Sequence, residues 1–478
     1  MKLSWKEDRY GIMAMALFTA VMFLIAFLTH GTGDEGDSIM HYLFARYAFG
    51  HPENFIHHWA KPFYVLIMAP FARFGFMSAK LFNTFLSCIA VWFTYLIARE
   101  MKYKWAIAVF VIALFFKNFM VVAFSGLTEP LNDALIAIAI YLAFTQRYMA
   151  ATIIMSFLPF IRSEGLFLCG TFALYLLWLR QWRLVPLLLL GHIIYSIAGY
   201  HHYKDFLWVI HQIPYGYHNT HYGHGSWSHF ITQMPMITGV LNAVLLSVGM
   251  IIMISLPVYL FYKKRPQDIS KQSIFIVGLF LIFFAMHASF WALGIFASFG
   301  LVRVFVAIAC VMILIMLTAI EYIDQVLSKY VKWHAPIIIA PLLALYLIFA
   351  LNKSPYSYRH YDFGLHADQE MDEEMAAYVK KNYPDYKNRM IYFDAVYLSM
   401  LLDVDVFDEN KYGSTGKPAN HVYPNKSIII WDAWYSDHEQ LTHLDVLRDN
   451  KQLKEITSFE RTGLLHETYH IKLFVRED

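Results

Sequence analysis

The stretch IMAMALFTAVMFLIAFLTHGTGDEGDSI, residues 12–39, runs an unbroken apolar segment directly into an acidic cluster. Nothing between Ile12 and Leu28 is charged, and Asp34, Glu35 and Asp37 then follow close together. A span that ends this way delivers carboxylates to the water at the bilayer edge. His57-His58-Trp59-Ala60-Lys61-Pro62 comes next, so one loop carries acids, imidazoles and a cation. That combination points to a reaction centre at the membrane surface.

Composition sets the solvent. Of 478 residues, 58% are hydrophobic and only 15% charged, which excludes a water-soluble globule and describes a polytopic α-helical membrane protein. With roughly 20 apolar residues needed per helix, about eleven spans are expected: 11–29, 79–98, 105–123, 131–146, 150–161, 164–179, 184–200, 237–262, 273–293, 300–322 and 335–351. The fifth and sixth are short and read as one hairpin or two broken helices. The first follows Lys2, Lys6 and Arg9 and has no small-residue cleavage site behind it, so it is expected to be retained.

With that basic end inside the cell, Arg99, Lys102, Lys104, Arg147, Arg180, Arg183, Lys263, Lys264, Arg265, Lys329 and Lys332 all fall on the inner side, as the positive-inside rule asks. Loops 30–78, 124–130, 201–236 and 294–299 then face outwards, with everything after Asn352. A net charge of +2 with no dense Lys/Arg cluster argues against a nucleic-acid partner. Cys88, Cys169 and Cys310 lie inside expected spans and behave as small apolar residues, so no disulfide is expected.

At Asn352 the near-continuous apolar sequence gives way to a mixed, charged segment long enough to bury its own core. The expected organisation is a transmembrane domain over 1–352 and a small outer α/β domain over 353–478. Within the latter, 368–382 reads as a helix, 390–393, 427–431 and 470–475 as strands, and 396–402 and 439–450 as helical.

Four clusters carry chemistry. In the first loop, a helix from about Glu35 to Phe49 capped by Asp34 would bring Asp34, Asp37 and His41 near one face. Asp34 then serves as a base with Glu35 and Asp37 tuning it, or it only caps the helix and its neighbours are solvated first-turn acids. Thr128-Glu129-Pro130 ends one span, and Arg162-Ser163-Glu164-Gly165 interrupts the broken hairpin. Ionisable groups at such depth face a cavity or pair with one another; Arg162 either pairs with an acid or receives an anion. The fourth cluster, 201–239, holds His201, His202, His211, His218, His221, His224 and His229 among Tyr215, Tyr217, Tyr222 and Trp227. Tyr222 and Trp227 suit a sugar-binding cavity shared with Glu129 and Glu164, and His221 with His224 offers ligands for a divalent metal ion. An interfacial loop of polar aromatics has the same composition.

This constellation resembles the GT-C glycosyltransferases, in the branch that contains protein O-mannosyltransferases and the lipid A aminoarabinose transferase. The resemblance covers about residues 1–352 as architecture and rests on short motifs. It implies a polyprenyl-phosphate-linked sugar as donor, a glycan, lipid or protein as acceptor, and membrane lipid around the chain. It makes Asp34 the catalytic aspartate and Lys61 a cation for the lipid phosphate, joined by Arg162; the charge of a departing phosphate adds Arg303 to these cations on chemical grounds. His224 resembles a loop histidine that helps bind metal in the aminoarabinose branch. That branch has an acid before its Lys-Pro where this chain has Ala60, which leaves His57 or His58 to substitute. The implied enzyme is an inverting transferase of the bacterial cytoplasmic membrane with its C-terminal domain outside. A transporter or flippase of lipid-linked saccharides is the rival, because broken helices with buried charge also suit a translocation path.

Overall fold

Burial of apolar length organises the helices, and one of them is buried all round. In the computed structural model, which describes residues 8–34, 36–214, 222–265, 267, 270–330, 360–463 and 468–476, every side chain from Phe305 to Leu317 is at most 1% exposed. A helix apolar on every face belongs at the centre of a bundle, and the segment Val302–Lys329 takes that place. Its entry is fixed by polar groups: Asp133 accepts from the Cys310 amide at 2.8 Å, and Asn132 donates to the Ala307 carbonyl at 2.9 Å.

Among the described residues six helices are long and apolar enough to cross a bilayer: Arg9–Leu28, Phe76–Glu100, Trp182–Tyr203, Val240–Tyr262, Lys271–Leu293 and Val302–Lys329. The other expected spans come out shorter or broken. Residues 105–123 form two helices, Ala108–Leu114 and Lys117–Ala123, and the Ile112 carbonyl near the break is bonded by Asn242 at 3.2 Å. A neighbouring amide thus satisfies backbone that lipid would leave bare. Residues 131–146 become Glu129–Phe144, opened by Pro130 in its first turn. The hairpin resolves into Tyr148–Ser156, a 3₁₀ turn at Leu158–Phe160 and Gly165–Trp178, the broken-helix form of the expectation. The span expected at 335–351 and the domain boundary at Asn352 lie outside the described residues. Cys88, Cys169 and Cys310 are buried free thiols.

One end of the bundle is tied by Asp8, which meets Arg99 and Tyr95, and by Lys104 with Asp324 at 2.9 Å. At the other end lies an α/β unit. Among the described residues it has five strands, β1 (Ile391–Tyr392), β2 (Tyr412–Gly413), β3 (Ile428–Asp432), β4 (Leu453–Thr462) and β5 (Thr468–Arg476), ordered β2-β1-β3-β5-β4. β1 runs parallel to β2 and β3, while β5 is antiparallel to β3 and β4. The helices Ala367–Asn382 and Val396–Leu402 form where expected. The expected helix at 439–450 is instead a π-turn at Tyr435–Glu439 followed by the short helix Leu444–Arg448. β4, an edge strand with exposed Lys454 and Glu455, lacks the apolar run that marks β3.

The α/β unit rests on the first loop. Arg46 pairs with Asp403 at 2.6 Å, His51 with Asp405 at 3.0 Å, and Phe407 packs on Phe44 and Tyr47. Gln369 donates to Thr32 at 2.9 Å, and the Gly31 amide to the Phe363 carbonyl at 2.8 Å.

Close helix contact also depends on small residues. A Cβ on Gly249 would stand 2.0 Å from the Ile315 carbonyl oxygen of the central helix. Gly249→Val is therefore expected to force these helices apart and destabilise the protein by about 1–3 kcal/mol. A thermal-denaturation midpoint in detergent equal to that of the wild type would refute this.

Candidate active site

The first loop is locked from below before any charge is placed. Ser38 donates from its hydroxyl to the Thr32 carbonyl at 2.6 Å and accepts the Gly126 amide at 2.7 Å. Gly126 must lack a side chain, since a Cβ there would meet the Ser38 carbonyl oxygen at 2.3 Å. The surface helix Asp37–Tyr47 then starts two residues later than expected, with Gly36 as its N-cap. Asp34 still serves its start: Oδ1 accepts the amides of Gly36 at 3.0 Å and Ser38 at 3.1 Å. Its other oxygen, Oδ2, pairs with Arg303, which also holds Asp37. Bonding at the helix start and ion pairing thus fall on different oxygens of one carboxylate.

From Arg303 a line of buried charge runs inwards. Its Nε lies 3.9 Å from Glu129 Oε1, and the same oxygen is 2.8 Å from Arg162. Arg162 also reaches Glu164 at 2.8 Å and Thr128 at 3.2 Å. Glu164 lies 3.4 Å from His287. Glu129 is 1% exposed, and its Oε2 has no hydrogen-bond partner among the described residues.

Lys61 closes the other side, donating to Ser163 at 3.0 Å. It is the residue before Pro62 and adopts φ +66°, an uncommon backbone for a lysine and the kind retained where surroundings over-determine it. Burial, and secondarily Arg162, lowers its pKa to about 8, while Glu164 and Asp37 oppose the shift. His41 stacks on Trp59 with ring centres 4.8 Å apart and is 7% exposed. Burial first, then Lys61, Arg162 and Arg303, lowers its pKa to about 3, so it is a neutral imidazole facing three cations.

The structure therefore gathers Asp34, Asp37, Lys61, Glu129, Arg162, Glu164 and Arg303 into one site. Arg162 meets Glu129 and Glu164, the pairing alternative of the expectation, and Arg303 lies among Asp34, Asp37 and Glu129. His58 directs Nε2 to the Val209 carbonyl at 3.0 Å, and among the described residues no three His, Cys, Asp or Glu side chains form a group suited to a metal ion. Glu35 and His221 lie outside the described residues. His224 sits against Gly294. Tyr222 packs on Phe299 and donates to Glu439 at 3.3 Å, while Trp227 is 59% exposed. His287 and Ser163 were not foreseen. The signal for His287 was present, because it is the one ionisable side chain within residues 273–293.

No protein-family model matches the sequence, and no curated protein matches it either. Solved structures do share its fold. The crystal structure of ArnT from Cupriavidus metallidurans bound to undecaprenyl phosphate superposes with a TM-score of 0.62 at 12% identity, covering 98% of each chain. The apo state of ArnT from the same organism gives 0.61 at 11% identity, over 97% of this chain and 98% of that one. The likeness extends over the bundle and the α/β unit alike.

Removing Arg303 would leave Asp34 and Asp37 facing each other uncompensated in a partly buried site. Arg303→Ala is expected to cost about 3–5 kcal/mol, with Arg303→Lys recovering part, since an ammonium lacks the planar fork that spans two carboxylates. Thermal-shift curves in detergent test this, and equal midpoints for all three proteins would show that the bridge carries no stability.

Proposed function

We propose that this chain is an integral-membrane glycosyltransferase of the GT-C type. It moves a sugar from a polyprenyl-phosphate donor to an acceptor hydroxyl, with inversion, at the outer face of a bacterial cytoplasmic membrane. The observation that carries this reading is the juxtaposition of Asp34, oriented by Arg303, with Lys61 and Arg162, in a chain with the fold of ArnT, whose crystal structure holds undecaprenyl phosphate. The eleven-span topology, the division at 352/353 and an extracytoplasmic α/β domain belong to the same proposal and rest on the placement of basic loops.

Such a donor carries its own leaving group, so the protein has two tasks. Asp34 Oδ2 accepts the acceptor's hydroxyl proton as that oxygen attacks the anomeric carbon. The bond from the anomeric carbon to the phosphate oxygen breaks, its electron pair goes to the phosphate, and polyprenyl phosphate departs. Lys61 and Arg162 supply positive charge where that charge develops. Displacement from the opposite face inverts the centre. In this reading Glu129, Glu164, Tyr222 and Trp227 surround the bound sugar, and the neutral His41 adds no charge beside it.

Asp34→Asn keeps the cap acceptor but removes the base. Sugar release from radiolabelled polyprenyl-phosphate sugars, assayed with and without divalent metal, is expected to fall by about 10²- to 10⁴-fold. Equal turnover by both proteins would remove Asp34 as base, and vectorial movement of an intact lipid-linked saccharide across proteoliposomes would favour the flippase reading instead.

Lys61 gives a pH signature. Its ammonium form prevails below a pKa of about 8, so the attraction for a lipid phosphate is full at lower pH and fades as pH rises through that value. Affinity for undecaprenyl phosphate is expected to fall by about tenfold, or about 1.4 kcal/mol, between neutral and alkaline pH. Lys61→Ala should bind weakly and without that slope; an identical slope in the variant would assign the titration elsewhere.

A further inference from the structure

One turn of the α/β unit, Trp434 to Gln440, meets the first loop beside the candidate site. Its backbone is wound with i to i+5 bonds: the Glu439 amide donates to the Trp434 carbonyl at 3.1 Å, and the Gln440 amide to that of Tyr435 at 3.0 Å. Such turns are uncommon and collect at functional positions. Two buried carboxylates hold it. Asp432, at the end of β3, accepts the amides of Trp434 at 3.0 Å, Tyr435 at 2.6 Å and Ser436 at 3.3 Å. Asp394, just beyond β1, accepts the Ser436 hydroxyl at 2.9 Å and those of Ser414 and Thr415. The turn therefore emerges at the carboxyl ends of the parallel strands, between β1 and β3. There the chain, having passed from β1 to β2 on one side, returns to the other, and open α/β sheets bind ligands at such a reversal.

What the turn presents is an aromatic surface beside the first loop. Trp434 and His438 stack with ring centres 4.7 Å apart and planes 5° from parallel, and Trp434 remains 39% exposed. The neighbouring row faces the membrane helices: the Tyr435 hydroxyl lies 3.0 Å from where a Cβ on Gly36 would stand, and Glu439 receives the Tyr222 hydroxyl. Gly36 is the residue whose amide Asp34 accepts. Two consecutive residues thus lead from the indole to the proposed base.

We propose that Trp434, backed by His438, is an acceptor subsite that binds the ring of a neutral saccharide. This rests on the glycosyltransferase reading and deepens it by giving the acceptor a chemical class. The apolar face of a pyranose packs on an aromatic plane, and the neighbouring Asp437 and Glu439 accept hydrogen bonds from its hydroxyls. Asp394, Asp432, Asp437 and Glu439 make the surroundings acidic, which opposes a phosphorylated acceptor. The same charge opposes anionic headgroups and so disfavours Trp434 as a membrane anchor. A ring on Trp434 directs the next unit of the acceptor along Tyr435 towards Asp34.

The test reads binding rather than turnover, so its failure is separable from failure of the enzyme reading, which donor consumption by wild type and Asp34→Asn decides. Full-length protein in nanodiscs is titrated with methyl glycosides of glucose, galactose and mannose and with neutral trisaccharides, observed by saturation-transfer NMR. Wild type should bind at least one of them, Trp434→Ala should weaken that binding by about five- to tenfold, and Trp434→Phe should stay within about twofold of wild type because it keeps an aromatic face. No saturation transfer to any saccharide, or equal binding by Trp434→Ala, would overturn the proposal. So would quenching by brominated nanodisc lipids of the emission lost in Trp434→Phe, which would make Trp434 an interfacial anchor.

Discussion

The bridge from Arg303 to Asp34 and Asp37 is the interaction on which the rest of the site depends. It joins residues far apart in the chain: the loop after the first span and the start of the central, fully buried helix. Two carboxylates this close repel each other in a partly desolvated setting, and a planar guanidinium answers both at once. Because Arg303 is seated at the head of the buried segment Phe305–Leu317, the loop inherits the rigidity of the bundle core. A carboxylate held this way is oriented by the bundle core.

The same logic extends inwards through Glu129, Arg162 and Glu164 to His287. Each isolated charge at such a depth would cost several kcal/mol in lost hydration. Alternation of sign offsets most of this, and the helices approach closely enough to keep the pairs short. The arrangement is poised rather than saturated: Glu129 retains an oxygen without a partner among the described residues. Lys61, strained in backbone and buried enough to lose part of its basicity, stands at the edge of this network with Ser163 as its neighbour.

The α/β unit completes the site from above. Its contacts with the first loop combine exposed ion pairs of small individual worth with the buried packing of Phe407 on Phe44 and the Gln369 bond to Thr32. The last of these touches the residue whose hydroxyl bonds the Asp34 carbonyl at 2.6 Å. The unit therefore shares the first loop with the bundle instead of hanging from it as a separate appendage.

Residue order alone determined the solvent, the helical bundle, the C-terminal α/β character and the first-loop acids. Those follow from apolar run length and from periodicities of 3.6 and 2, which are local. The Ala367–Asn382 and Val396–Leu402 helices were legible for the same reason, while β4 was not, because an exposed edge strand needs no apolar run. Asp34, Lys61, Arg162, Glu129 and Glu164 could be singled out because charge beside apolar sequence is conspicuous. Their partners could not be assigned: which carboxylate Arg303 or Arg162 meets depends on how distant helices pack. The breaks within residues 105–123 and the stacking of Trp434 on His438 were decided likewise, by a neighbouring Asn242 and by a turn wound on Asp432. Tertiary structure alone settles such points, since ion pairing and stacking act through space between residues whose separation in the chain carries no information about their distance.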